Sequence, residues 1–286
     1  MEIQQMVKLM HGIALATLLG GCGTRDGPAE PSNGQGQPLS GTSTDANKDP
    51  GVMVDNNTPA DPETRYGIVK TQLGGRAFNV KDFGSSPEGS ATYVIRRLEP
   101  RARAGDGKAS YEIYLKISQC MPLMGPSGGA RSSLDEKSEE ECRDIPLEYL
   151  AARSDWLRLG AEQGHLGAQL VFVADPEQAL GGIQEIFKNP DVVVEYKRQT
   201  MEYLGSAAGR GSIDALMGLG NAYQVGVMTE QDHTTSYAYY LAAERAAPGI
   251  VSRNRLQWLR DGLNIAQIRE SIVKAQEFYD ECCATR

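Results

Sequence analysis

Five cysteines, three histidines and one acidic run are the side chains of this 286-residue chain whose types and spacing could do chemistry. Beyond the first twenty-odd positions the histidines reduce to His165 and His233, and neither stands in a nucleophile or metal motif. A zinc site wants four Cys or His ligands at short spacings, and no C-x-x-C is present, so neither a metal nor a cofactor is expected. Glu139-Glu140-Glu141 is a charge run of the kind that normally forms a solvated face. A paired-carboxylate hydrolase would need a second carboxylate converging on it in a cleft. His165 follows Glu162-Gln163-Gly164 and is read as part of a helix-linking turn, and Asp232 before His233 is read as a helix cap. The chain is therefore expected to be non-enzymatic.

Cys22 belongs to a different chemistry. Lys8 precedes a short apolar run, Ile13 to Leu19, which is far below the ~20 residues needed to cross a bilayer and so reads as a processed leader, residues 1–21. Leu19-Gly20-Gly21-Cys22 resembles the lipobox of bacterial lipoproteins, although Glu2 weakens the basic region. That resemblance implies diacylglycerol on the Cys22 sulfur, and Gly23 after it implies the periplasmic face of the outer membrane, lipid-anchored. Residues 22–64 follow, rich in Gly, Pro, Ser, Asn and Asp and without aromatics, a composition that cannot offset its ordering entropy. They are expected to form a flexible tether with an r.m.s. span of roughly 35 Å. The net charge of −8 removes the usual electrostatic basis for nucleic-acid binding.

An exported location also governs the remaining cysteines, Cys120, Cys142, Cys282 and Cys283, for which three pairings exist. Cys120 with Cys142 is favoured, because it would tie down a Gly-, Ser- and Glu-rich loop, contributing roughly 3 kcal/mol. Cys282 and Cys283 stay open between a vicinal bridge, free thiols and a partner elsewhere.

Such residues must be carried by a scaffold, and the scaffold repeats. Small residues at Ala207, Ala208, Gly211, Ala215, Gly218 and Gly220 alternate with Leu219 and Tyr223 at helical spacing, so that two helices can approach closely. Gly160-Ala161, Ala207-Ala208 and Ala242-Ala243 align at spacings of 47 (207 − 160) and 35 (242 − 207), the first carrying an insertion over Asp175–Val193. Gly160-Ala161-Glu162-Gln163-Gly164-His165 with Ala168-Gln169, and Ala215, Leu219-Gly220 and Tyr223 followed by Gly226-Val227 and Asp232, resemble the Sel-one-like repeat family, a relative of tetratricopeptide arrays. The likeness is best over Tyr203–Ala246, good over Trp156–Gln169 and faint over Tyr93–Ile117, and Phe172-Val173 depart from it. The expected fold is all-α: a short α-solenoid of stacked antiparallel helix pairs over residues 65–286. Its clearest repeats fall at about 147–175 and 196–247 and its closing helices at about 252–284, with Ile265, Ile268, Ile272, Ala275 and Phe278 sealing the end.

Stacked pairs expose a long surface that suits another protein as partner. Ala215, Leu219 and Ala222 should pack inward, leaving Asn221 and Gln224 free, with Tyr239 and Tyr240 nearby as interface anchors. The specific function expected from the resemblance, together with anchor and tether, is an immunity protein that neutralises an antibacterial toxin such as a secreted phospholipase effector. An envelope adaptor and a hydrolase of unrecognised type are the alternatives.

Overall fold

The computed structural model describes residues 67–124 and 136–285. The leader, Cys22 and the tether lie outside them. Two strands come first, β1 (Val69–Gly74) and β2 (Ala77–Asp82), then α1 (Ala91–Arg103) and α2 (Gly107–Cys120). After a 3-10 turn follow α3 (Glu136–Cys142), α4 (Leu147–Ala151), α5 (Arg153–Glu162), α6 (Leu166–Ala174), α7 (Pro176–Ala179) and α8 (Ile183–Lys188). The C-terminal part holds α9 (Asp191–Gly209), α10 (Ile213–Val225), α11 (His233–Ala246), α12 (Arg253–Asp261) and α13 (Ile265–Cys282).

One turn is used three times. Gly105, Gly164 and Gly211 close α1, α5 and α9 with φ of 102°, 82° and 101°, a left-handed conformation that a side chain would strain. Each glycine N–H donates three residues back, to Ala102, Ala161 and Ala208. The following N–H donates five back, from Asp106 to Arg101, His165 to Gly160 and Ser212 to Ala207. These are Schellman closures, which satisfy carbonyls that a helix end leaves unpaired. The same following residue then caps the next helix. Asp106 accepts from the N–H groups of Lys108 and Ala109, His165 from Ala168, and Ser212 from Ala215. Three different side chains thus offer one lone pair at one place. The α1–α2 hairpin, only faintly legible in sequence, is a complete copy.

From these hairpins a single stack forms, in which α1, α2, α5, α6, α9, α10, α11 and α13 each pack against the next. Short helices fill two longer connections. Between α2 and α5, Cys120 and Cys142 are disulfide-bonded with Cα atoms 5.4 Å apart. Beside that bond the fully buried Lys116 donates to Glu141 Oε2 at 2.5 Å and to Pro87 O at 3.0 Å. Burial raises the Glu141 carboxyl, but hydrogen bonds from Lys116 and the Gly89 N–H outweigh it and hold the group below its ordinary range. Glu141 therefore turns inward, out of the solvated acidic run read from the sequence. Between α6 and α9, Phe172 is buried and packs against Tyr196 and edge-on against Tyr203, each at 5.2 Å between centroids. The unexpected Phe172 thus joins the two helices that the insertion separates.

The antiparallel β-hairpin lies along this stack as a strap. Ile68 sits against Gly167 at the start of α6. At the far end the Arg76 N–H donates to Cys283 O at 2.9 Å, just beyond α13. Returning, Phe78 N–H donates to Gly211 O at 2.9 Å and Val80 N–H to Asp214 Oδ2 at 3.1 Å. Phe83 O then accepts from the Tyr111 hydroxyl at 2.9 Å on α2. Cys282 and Cys283, bonded to each other, stand at the strap's outer anchor.

Two measurements check this arrangement. Burial, reinforced by the Arg210 and Lys108 charges, lowers the His165 pKa from 6.5 to about 4, so the ring is neutral when its Nδ1 caps α6. Because the folded value lies below the unfolded one, the stabilisation is full above the unfolded pKa of about 6.5 and is lost as pH falls toward about 4. Thermal melts from pH 7.5 to 4 should show His165→Asn, which keeps a capping acceptor, losing less stability across that window than the wild type. In urea titrations, Glu141→Gln should cost roughly 3–5 kcal/mol, since it strands the buried Lys116 charge.

Candidate interaction groove

Where the C-terminal ends of α9 and α13 approach across α10, they leave a groove of about 130 Å³. Gly205, Ala208 and Gly209 of α9 line it together with Leu216 and Leu219 of α10, Tyr239 of α11, and Phe278, Glu281 and the disulfide-bonded Cys282 of α13. The α10 lining follows from the helix register, in which Leu216 and Leu219 lie almost one turn apart on one face. A Cβ added at Gly205 or Gly209 would meet nothing within 4 Å, so the α9 wall is bare backbone open to a visitor.

The aromatic lining is built by stacking. Tyr239 lies between Phe278, at 4.1 Å and 9° between rings, and Tyr223, at 5.8 Å and 14°. Burial raises the Tyr239 pKa to about 12, helped by the neighbouring Tyr223 and the Glu281 carboxylate. The phenol is therefore protonated at neutral pH and can donate. A flat aromatic wall, a bare backbone wall and a carboxylate at the rim suit an apolar or aromatic partner side chain flanked by a cation. No nucleophile–base pair lines the groove. Among the described residues no group of three or more His, Cys, Asp and Glu side chains is placed to hold a metal ion.

The residues expected to dock a partner divide. Tyr239 lines the groove. Tyr240 does not: it is 1% exposed, its ring lies against Gly220 and under the Arg255 guanidinium at 5.1 Å, and its hydroxyl accepts from Arg255. Its position one helical turn after Ser236 puts it on the α11 face that packs on α10, where Ser236 donates to Gly220 O at 2.7 Å. Tyr240 is thus a core residue, which corrects its assignment as an anchor. Asn221 and Gln224 are partly buried on α10, outside the groove lining, and Gln224 O accepts from Gln231 at 2.8 Å. Phe278 and Glu281 were missed as site residues, because their place depends on how α13 folds back onto α11. The helical spacing of Phe278 to Glu281 is the available signal; of the two, the sequence reading includes only Phe278, in the sealing stripe.

That sealing role also needs correction. On α13 the buried residues are Ser271, Ala275 and Cys282, whereas Ile265 and Ile272 are 70% and 56% exposed.

No protein-family model matches the chain. A protein of Schizosaccharomyces pombe named as an ERAD-associated E3 ubiquitin-protein ligase component is 28% identical over 105 residues, 36% of this chain and 15% of that protein. The chain therefore spans well under two thirds of that relative. Among solved structures, a protective antigen present in uropathogenic Escherichia coli strains and displaying an SLR fold is similar over 66% of this chain and 41% of that one, at 16% identity and a TM-score of 0.39. What the present structure itself defines is an all-α helical-repeat array, an architecture suited to protein–protein interaction.

Gly205 gives a direct check on the bare wall. Since a methyl group there meets nothing and alanine is the better helix former, Gly205→Ala should raise stability by up to about 1 kcal/mol in chemical denaturation.

Proposed function

We propose that the chain is a non-enzymatic, protein-binding lipoprotein, held through Cys22 at the periplasmic face of the outer membrane. In this reading it captures a partner in the groove between α9 and α13. The observation that carries the binding role is that groove: an aromatic stack and an open glycine wall, with the Glu281 carboxylate and the disulfide-bonded Cys282 beside them. The most specific form of the reading is an immunity protein that sequesters a cognate antibacterial toxin, such as a secreted phospholipase effector. A neutraliser of this sort needs no chemistry of its own. It needs a rigid surface, a position where the toxin arrives and a tether long enough to meet it, which the residues from Cys22 to 64 would supply. The resemblance to Sel-one-like repeat lipoproteins supports the same choice.

Capture from the native envelope, followed by mass spectrometry, tests it. The wild-type chain should recover a toxin, whereas Gly205→Leu, which fills the open wall, should lose the toxin while keeping its helical spectrum. Recovery of envelope-assembly proteins alone would replace the immunity reading with an adaptor. Equal recovery by both chains would move the binding surface elsewhere. For the anchor, metabolic labelling with a tagged palmitate should mark the wild type and leave Cys22→Ser unmarked; a labelled Cys22→Ser chain would exclude this site.

A further inference from the structure

Repeat arrays stay soluble when the outer face of the last repeat is polar. The outward face of α13, the last described helix, is apolar instead. On the side of α13 turned away from the stack, Ile265, Ile272 and Val273 are 70%, 56% and 59% exposed. Beside the last two lies a broad hollow, into which Leu241 and Arg245 of α11 also open. Arg245 is occupied there, donating to Gln276 and lying over the Tyr279 ring at 4.5 Å.

The charges around this stripe name what covers it. Lys274 is already paired with Glu270 at 2.7 Å. Arg269 and Glu277, both exposed, have no ion-pair partner among the described residues. They lie one helical turn on either side of Val273, four residues before it (273 − 269) and four after it (277 − 273), on the same face. A two-fold axis beside Val273 would set Arg269 of each copy against Glu277 of the other, with Ile272 and Val273 closed between the two ion pairs. An isologous contact demands this self-complementarity: opposite charges placed symmetrically about an apolar centre.

We propose that α13 packs antiparallel on α13 of a second copy of this chain. Phe278, which lines the groove, lies 140° around α13 from Val273 at 100° per residue, whereas Glu281 follows Glu277 by one turn at the edge of the paired face; the dimer keeps two grooves, and failure of the pairing would leave the groove reading standing on its own test. A single helix pair buries less than about 1,200 Å², so the dimer is a weak one.

Sedimentation equilibrium of the full chain, and of the full chain carrying Cys22→Ser, tests it from about 1 to 100 μM. A monomer–dimer equilibrium is expected within that range. Ile272→Glu and, separately, Arg269→Glu should each weaken it by about tenfold or more. The double variant Arg269→Glu/Glu277→Arg, which only exchanges the charges, should restore it to within about threefold of wild type. A wild-type monomer throughout, a dimer indifferent to Ile272→Glu, or a double variant as weak as Arg269→Glu would overturn the proposal. So would a monomer of the Cys22→Ser chain that floats with phosphatidylcholine vesicles until Ile272 is changed, since the face would then belong to a lipid surface.

Discussion

A single backbone hydrogen bond, from Phe78 N–H to Gly211 O at 2.9 Å, ties the strap to the turn on which the C-terminal half of the array is built. It forms only because Gly211 has no side chain. A Cβ there would collide with Arg76 O, and the residue's φ of 101° would be strained for any other amino acid. One glycine thereby serves three contacts: its N–H closes α9, its left-handed backbone turns the chain into α10, and its carbonyl receives the strap. The next residue, Ser212, caps α10 and forms the bridge with Phe78.

That constraint accounts for the rigidity a binding surface needs. Helix pairs stacked only on their neighbours can bend at every interface, because each repeat contacts only the next. The strap adds contacts that skip repeats, reaching α6 through Ile68, α10 through Phe78 and Val80, α2 through Phe83 and the end of α13 through Arg76. The groove lies among the elements joined in this way. Its walls on α9 and α13 are held by the α9–α10 turn and by the anchor at Cys283, so little ordering entropy is left to lose when a partner docks.

The turn at His165 was legible in the sequence because its chemistry is local, whereas Gly211, read as a small packing residue at helical spacing, is the turn itself and Ser212 the cap. A glycine followed by a residue with a lone pair, then a run of small residues, states both a helix end and the next helix start. The α1–α2 copy was faint for a simple reason: Asp106 caps where His165 and Ser212 cap elsewhere, and difference of letters hides identity of role. The strap was not legible, since β1 is exposed along its whole length and shows no apolar alternation. Its partners lie as far as 208 residues away. Glu141 was read as solvated for the same reason, because Lys116 stands 25 positions earlier on another helix. Tyr239 and Tyr240 are adjacent, and only the packing of α11 decides that Tyr240 is enclosed against Gly220 while Tyr239 stacks between Tyr223 and Phe278. On α13 the helical register was correct but its buried stripe was misplaced: Ala275 is inside, and Ile265 and Ile272 are not.

Native-state hydrogen exchange on the full chain, read by amide, is the most direct test that strap and array are one unit. The amides of Phe78 and Arg76 should exchange as slowly as those of the first turns of α10, opening only when the helical stack opens. Rapid exchange at Phe78 and Arg76 beside a protected α10 would mean that the strap is a loose appendage and that the helices hold their arrangement without it.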